Sequence, residues 1–327
     1  MANVLVTGSA GYVAGWLIPQ LLRMGHRVVG YDCLKCPNHL INSAGIEWHQ
    51  GFLSDRSLLE RVFGGARPDV CIHLAKPAAE LLESYTPEER HREIQGRDLS
   101  VRVLHTCLAD QLNVFETAIR FGNIPVLFAS SDSVYGPNSS TSVLENAQLQ
   151  PISMKGLFNF FTEQYGRFYA LRYGISITAM RFFNVYGFWL DGWRGDVISR
   201  FCQAALTNQK LDVYGDGNQI RDFIYIEDAI AAIIALASSV KPGFSAVNIS
   251  TGVGTELNEL VRLVCLLTAT PFEVVNHPFR PGDLSCAVGN NQRLEALGLN
   301  LVKTELSEGL RRTMNAAGVI TMRRSQA

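Results

Sequence analysis

The chain has 327 residues, of which 47% are hydrophobic, so it can bury one large core or two joined lobes, and its composition excludes disordered and fibrous proteins. The 29 basic and 30 acidic residues form no long runs, which gives no charged surface for nucleic acid or an anionic membrane. No export signal precedes the first strand and no apolar stretch is long enough to span a bilayer, so we expect a cytoplasmic protein.

Apolar strand-like runs alternate with helix-length segments along the first half of the chain. In chain order the pattern predicts the strand VLVTG, a helix near 12–24, the strands RVVGYD and IEWHQG, a helix near 56–63, the strand VCIHLA, a helix near 113–121, the strand VLFASS and a long helix from about Ser153. Such alternation is typical of a parallel sheet with helices on both faces. The sequence therefore predicts an α/β fold with a Rossmann-type, doubly wound parallel sheet.

The segment Gly8-Ser9-Ala10-Gly11-Tyr12-Val13-Ala14 follows the first strand and opens a helix. In this context glycines permit a tight turn and let backbone N–H groups approach a pyrophosphate, while the small Ala14 allows close packing of helix and sheet. Asp32 ends the second strand, where its carboxylate would accept hydrogen bonds from a ribose 2′-hydroxyl and repel a 2′-phosphate. We therefore predict NAD rather than NADP as a cofactor; the alternative is a plain surface carboxylate at a strand end.

Three later motifs, SSDSVYG, RFFNVYG and GDGNQIRDFIYIED, follow in the order expected of one family. Together with the glycine segment they resemble the extended short-chain dehydrogenase/reductase family, which includes nucleotide-sugar epimerases and dehydratases, and the resemblance runs from about Asn3 to Met314. It implies an NAD site at the ends of the sheet strands. The implied cofactor-binding residues are Gly8, Ala10, Gly11, Tyr12, Val13, Asp32, Phe52, Leu53, Leu74, Ala75, Lys76, Ser130 and Phe182.

Two cofactor positions depart from the family pattern. Phe52 stands where the first Asp of a GDLTD-like segment holds the adenine amino group, so one hydrogen bond is lost. Lys76 replaces a small residue of an HLAA loop, where it either reaches a phosphate or is solvated. We expect these changes to weaken NAD binding by about 1 to 2 kcal/mol without abolishing the site.

The catalytic residues of the family are a Ser or Thr, a Tyr that exchanges a proton with a sugar hydroxyl, and a Lys that holds the ribose. Ser131 stands at the first of these positions. Within PISMKGLFNFFTE, residues 151–163, Lys155 stands at the Tyr position and Asn159 at the Lys position. Residues four apart share a helix face, so two lysines here would repel each other, and a neutral Asn159 suits a cation at 155.

The role of Lys155 stays open at this point. It is a base if burial and the positive nicotinamide of NAD remove its proton, and otherwise an electrostatic clamp or an acid. Asp132 matches the acid in dehydratase motifs that read like STDEVYG, whereas the following Glu is replaced by Ser133, and Asn159 keeps an amide for a ribose hydroxyl. These residues predict an epimerase- or dehydratase-type enzyme. The alternatives are a non-redox lyase on the same fold and an inactive NAD-binding regulatory protein.

Three separated segments resemble the family's contacts to a nucleoside diphosphate, and an arginine side chain forks well onto phosphate oxygens. The predicted substrate-binding residues are Ser133, Asn184, Arg221, Arg280 and Asp283. They predict a nucleoside diphosphate-linked sugar, or a related small molecule, as substrate. The alternative for Arg221 is a structural pair with Asp222 or Asp228.

After RFFNVYG the pattern loosens into loops and short helices, which predicts a smaller C-terminal substrate-binding lobe. We expect an NAD-binding domain over residues 1–184, with a return segment near 222–250, and the lobe mainly over 185–327. The helix from Ser153 has aromatic residues on more than one face, and in the family this helix and the one near 113–121 form a four-helix dimer interface. We therefore expect a homodimer, with neither nucleic acid nor membrane as a partner and no metal.

Overall fold

The computed structural model describes residues 1–41, 45–75, 99–137, 142–188, 196–279, 282–297 and 304–318. The chain divides into two compact units. The first unit comprises Met1–Gly136, Leu149–Arg181 and Ile233–Val247, and the second unit comprises Pro137–Gln148, Phe182–Ala232 and Asn248–Ala327. The domain limits expected from the sequence stay a prediction.

The described strands are, in chain order, β1 (Asn3–Thr7), β2 (Arg27–Asp32), β3 (Ile46–Gln50), β4 (Val70–His73), β5 (Val126–Ser131), β6 (Ile177–Phe182), β7 (Asn184–Tyr186), β8 (Leu211–Tyr214), β9 (Ile220–Tyr225), β10 (Phe244–Ile249), β11 (Gly254–Glu256), β12 (Val274–His277) and β13 (Cys286–Ala287). The described helices are α1 (Tyr12–Arg23), α2 (Asn38–Ile41), α3 (Arg56–Ala66), α4 (Leu99–Arg120), α5 (Met154–Tyr173), α6 (Val197–Thr207), α7 (Ile226–Ser238), α8 (Leu257–Thr268), α9 (Gln292–Glu295) and α10 (Leu306–Ala316). A short 3₁₀ turn spans Asp132–Val134.

A seven-stranded sheet runs in the order β10-β6-β5-β4-β1-β2-β3. β1 pairs in parallel with β2 and with β4, and the pairs β2–β3 and β4–β5 are parallel as well. This mostly parallel sheet with flanking helices confirms the predicted Rossmann-type α/β class. Because parallel strands end at the same edge, the residues after β1 to β5 meet along one edge of the sheet, where open α/β folds bind ligands.

The core lies between this sheet and the helices against it. Strands buried on both faces read as continuous apolar runs, and Leu5, Val29 and Phe128 are fully buried members of one cluster. Leu59 of α3 and Phe115 of α4 fill the same cluster. Burial of this kind is the main source of stability, at about 1.5 to 3 kcal/mol for each large apolar side chain.

Two helices have clear start signals and one does not. The Asp55 carboxylate accepts the Leu58 N–H at 2.9 Å and starts α3, and the Ser153 hydroxyl accepts the Gly156 N–H at 3.0 Å and starts α5. α4 starts at Leu99 rather than near residue 113 as the sequence predicted. The early part of α4 mixes leucine and arginine, which are good helix formers, with valine and threonine, so the local sequence gives no clear helix signal there.

The second unit is built around β9. β11 pairs with β9 antiparallel, whereas β7 and β13 pair with it in parallel. β8 and β12 form a separate parallel pair. None of the described helices has the length and apolar content needed to cross a membrane.

Candidate active site

The turn after β1 carries the glycine-rich segment. Gly8 has a φ of +70°, and a Cβ built on it would lie 2.3 Å from the backbone nitrogen of Ala75, so only glycine fits. The Gly11 N–H donates to the Gly8 carbonyl at 3.0 Å, and α1 begins at the next residue. The N-terminal cap of α1 is itself a glycine, so the cap residue has no side chain that could accept a hydrogen bond from the first N–H groups of the helix. A helix start of this kind fits a phosphate group.

Asp32 lies at the same edge of the sheet, at the end of β2. Its carboxylate accepts the N–H of Ala10 at 2.9 Å and the N–H of Leu34, also at 2.9 Å. These bonds fix the half-exposed carboxylate beside the glycine turn. A fixed acceptor next to a phosphate-binding turn suits the hydroxyls of a ribose.

The remaining predicted cofactor residues lie mostly along the same edge. Phe52 follows β3 and is 67% exposed, while the Tyr31 hydroxyl donates to its carbonyl at 2.8 Å. The amide of Asn113 donates to the Leu53 carbonyl at 3.0 Å. Leu74 and Ala75 follow β4, Phe182 ends β6, and Ser130 is the last residue but one of β5. Lys76 lies outside the described residues.

His73, at the end of β4, is a buried neighbour that the sequence analysis did not select. Its ring contacts the Thr7 hydroxyl through Nδ1, and its Nε2–H donates to the Gln111 amide oxygen at 2.7 Å. Burial lowers the pKa of His73 to about 4, against the opposing effect of the bond to Gln111. A neutral imidazole therefore ties β1, β4 and α4 together beneath the glycine turn.

Ser131 ends β5 and caps the 3₁₀ turn. Its Oγ accepts the Ser133 N–H at 3.3 Å and donates to Asp132 Oδ1 at 2.9 Å. Ser131 is 3% exposed, whereas Asp132 is half-buried. The Ser133 hydroxyl is buried, and within the part of the chain that the structure describes it has no hydrogen-bond partner.

The first turns of α5 carry Lys155 and Asn159. Lys155 is half-exposed, whereas Asn159 is 2% exposed and donates its Nδ2 to the Lys155 carbonyl at 2.8 Å. A Cβ built on Gly156 would lie 2.4 Å from the Ser133 carbonyl oxygen, so the start of α5 packs directly on the 3₁₀ turn. The structure thus brings the Ser131 segment and the Lys155 segment together. That Lys155 and Asn159 take the places of a Tyr and a Lys stays a prediction.

A buried ion pair supports both segments, and the sequence analysis did not find it. Glu163 of α5 pairs with Arg181 of β6 at 2.6 Å and accepts the Ser130 hydroxyl at 2.7 Å. Arg181 also donates to the Tyr135 hydroxyl at 2.9 Å. Burial alone would lower the pKa of Arg181, but the hydrogen bonds and the charge of Glu163 raise it above its ordinary value. The sequence does contain a signal for this pair. An arginine inside the mostly apolar strand ITAMRF indicates a buried acidic partner.

In the second unit two predicted substrate residues meet. A side-chain nitrogen of Arg221 pairs with the Asp283 carboxylate, and the other terminal nitrogen donates to the Ile220 carbonyl at 2.9 Å. The alternative pairing with Asp222 or Asp228 is wrong, because Arg221 points to Asp283 instead. Arg280, the third charged residue of this set, lies outside the described residues.

Asp222 is fully buried and accepts four hydrogen bonds. The donors are the backbone N–H and the hydroxyl of Thr251, at 2.8 and 2.6 Å, and the N–H groups of Gly252 and Gly289, at 2.9 and 3.2 Å. The Asn184 amide donates to the Asp222 backbone carbonyl at 3.1 Å. Burial raises the pKa of Asp222 to about 6, although the four hydrogen bonds act in the opposite direction. Asp222 therefore joins β7, β9 and two loops.

The first unit thus has the site of a dinucleotide-binding Rossmann protein: a turn that only glycine fits, a helix start capped by glycine and a fixed carboxylate. A model of the NAD dependent epimerase/dehydratase family matches residues 4–250. The chain belongs to this family, whose cofactor is NAD.

Relatives with assigned names agree with this assignment. The putative UDP-glucose 4-epimerase of Methanocaldococcus jannaschii is 30% identical over 315 residues, which cover 95% of this chain and 97% of that protein. The UDP-N-acetyl-alpha-D-glucosaminuronate decarboxylase of Bacillus cytotoxicus is 29% identical over 284 residues, with 84% and 83% covered. The crystal structure of UDP-glucose 4-epimerase with UDP-glucose from Thermotoga maritima has a TM-score of 0.84 and 27% identity, with 99% of this chain and 100% of that chain covered.

Proposed function

We propose that this protein is an NAD-dependent enzyme that modifies a nucleoside diphosphate-linked sugar by a reaction of the epimerase or dehydratase type. The observation that carries the proposal is the contact of Gly156 with the Ser133 carbonyl, which joins the Ser131 and Lys155 segments. This junction lies at the sheet edge that also carries Asp32. Residues able to orient a sugar hydroxyl are therefore combined with residues able to hold a dinucleotide.

The glycine turn and the first N–H groups of α1 would hold the pyrophosphate of NAD, and Asp32 would hold the adenosine ribose. NAD, when bound, accepts a hydride from a sugar carbon and returns it. Ser131 would orient the reacting hydroxyl, and Lys155 would stand beside it in the place of the family's tyrosine. Asn159 would fix the backbone of Lys155 through the 2.8 Å bond to its carbonyl.

The diphosphate and the nucleoside would be bound by residues of the second unit. Arg221 offers its guanidinium and Asn184 its amide, and Asp283 would orient Arg221 and accept from a ribose hydroxyl. Uridine diphosphate is the carrier that we propose, because the relatives described above act on UDP-sugars by name. We further propose that the protein works in the cytoplasm as a homodimer, with exposed aromatic residues of α5 at the contact.

The test is product analysis with purified protein. A panel of UDP- and dTDP-linked hexoses and hexuronic acids, deuterated at single carbons, is incubated with protein and NAD and followed by NMR. We expect an epimerised or dehydrated product in which the deuterium is retained, as direct hydride return requires. Lys155→Ala should lower kcat by about 100-fold or more. Full activity of that variant would remove Lys155 from the mechanism.

A second candidate, a protein that binds NAD and nucleotide sugar without turnover, is favoured by the sequence prediction that Lys155 and Asn159 stand at the family's Tyr and Lys positions. In that case every sugar is recovered unchanged while calorimetry still detects binding of NAD and of UDP. Loss of CO₂ or of a sugar fragment without deuterium transfer would instead indicate the non-redox lyase.

A further inference from the structure

The hydrogen bonds of the Ser131 hydroxyl have defined directions in this structure. A hydroxyl has one proton to donate and two lone pairs to accept with. The proton is directed to Asp132 Oδ1 at 2.9 Å, and one lone pair accepts the Ser133 N–H at 3.3 Å. Among the described residues, these two bonds leave a single acceptor position at Ser131. A sugar hydroxyl that reaches this position donates its proton to Oγ.

Asp132 lies where its carboxylate can accept the proton of the Ser131 hydroxyl. Its backbone carbonyl accepts the Tyr135 N–H at 3.0 Å, which closes the 3₁₀ turn and holds the residue beside Ser131. The residue as a whole is half-buried. A carboxylate at the far side of a serine hydroxyl is an acceptor for a relayed proton.

Lys155 is the other charged group of this segment, and its surroundings suit a cation. Its residue is half-exposed, and the neighbouring position on the same helix face holds the neutral Asn159. An ammonium beside a sugar oxygen would stabilise negative charge that develops there.

We propose that the base of the reaction is Asp132, reached through the Ser131 hydroxyl, and that Lys155 works as a fixed cation. This proposal rests on the function proposed above. In the forward step the O–H bond of the sugar breaks and its proton moves to Ser131 Oγ, while the proton of Ser131 moves to Asp132. The sugar oxygen keeps the electron pair of the broken O–H bond, Ser131 regains the proton that it gives up, and the Asp132 carboxylate becomes a neutral acid. The return step reverses the transfer.

Two variants distinguish the relay from a lysine base. Asp132→Asn keeps an oxygen that accepts from Ser131 but takes up no proton, and we expect kcat to fall by about 100-fold or more with KM within about threefold. Lys155→Arg keeps the charge but never loses its proton, and we expect at least a tenth of the activity to remain. Asp132→Glu keeps a carboxylate, so it should have a higher kcat than Asp132→Asn. A merely structural role of Asp132 would not require this difference between the two variants.

The matched control is Asp55→Asn, the same chemical change at the cap of α3, where asparagine caps equally well. It should leave kcat unchanged. An inactive Lys155→Arg together with an Asp132→Asn variant of near-normal kcat would overturn the relay and assign the base to Lys155. If the wild type turns over no nucleotide sugar while it binds NAD and UDP by calorimetry, the proposed function fails and the relay fails with it.

Discussion

Glu163 accepts hydrogen bonds from two nitrogens of Arg181, at 2.9 and 2.6 Å, and neither side chain has any exposed surface. The pair joins α5, which carries Lys155, to β6. Removing one partner of such a pair leaves an uncompensated buried charge, which costs about 3 to 5 kcal/mol. We expect Glu163→Gln to lower the free energy of unfolding by about this amount in urea titrations.

The control for this pair is Arg27→Ala, which breaks the exposed pair with Glu47. Exposed pairs contribute about 0 to 1 kcal/mol, so this change should have little effect on the same titration. Equal effects of the two variants would contradict the view that burial decides the importance of Arg181 and Glu163.

A second prediction concerns the glycine turn. Gly8→Ala should weaken NAD binding by at least about tenfold in calorimetry, because the added Cβ would collide with the Ala75 backbone and alanine resists a φ of +70°. Gly65→Ala is the matched control, since α3 leaves open space there. Alanine in a helix should stabilise the fold by up to about 1 kcal/mol. Unchanged NAD affinity in Gly8→Ala would exclude the turn as the pyrophosphate site.

A third prediction follows from the buried Asp222. Its pKa of about 6 in the fold exceeds the ordinary value of about 3.9, so the folded chain holds this proton more tightly than the unfolded chain does. The resulting stabilisation is complete below about pH 4 and is lost as the pH rises through about 6. Two pH units at about 1.4 kcal/mol each correspond to about 3 kcal/mol.

The measurement compares wild type with Asp222→Asn, which does not titrate, in urea at several pH values between about 4 and 7. We expect the wild type to lose stability relative to the variant across this window. A difference that stays constant within about half a kcal/mol would show that Asp222 ionises normally. Weaker binding of UDP to the variant, with NAD binding unchanged, is expected because Asp222 also fixes the loops near Asn184 and Arg221.

A fourth prediction concerns assembly. Phe161, Tyr165 and Phe168 are exposed and recur at helical spacing on one face of α5. We expect a dimer at micromolar concentration by sedimentation equilibrium, and Phe168→Asp should shift it to monomer. Leu266→Asp changes an exposed residue of α8 and should leave the mass unchanged. A monomeric wild type would exclude the homodimer.

The fold was largely predictable because its strongest signals are local. β1 and β2 fall where the apolar runs end in turn residues, and the glycine turn and Asp32 could be placed from the motif alone. The predicted start of α4, near residue 113, was wrong. The part of the helix before it mixes good helix formers with valine and threonine and so gave no clear local signal. The ion pairs of Arg181 with Glu163 and of Arg221 with Asp283 join residues 18 and 62 positions apart, and only tertiary packing brings these together.

The burial of Asn159 restricts which substitutions the start of α5 tolerates together. A lysine placed at position 159 while Lys155 is present would put a second ammonium into a space with almost no access to water, four residues from the first. Replacement of Lys155 must therefore come before a lysine at position 159. Engineers who wish to combine Lys155→Tyr with Asn159→Lys on this scaffold should make the changes in that sequence.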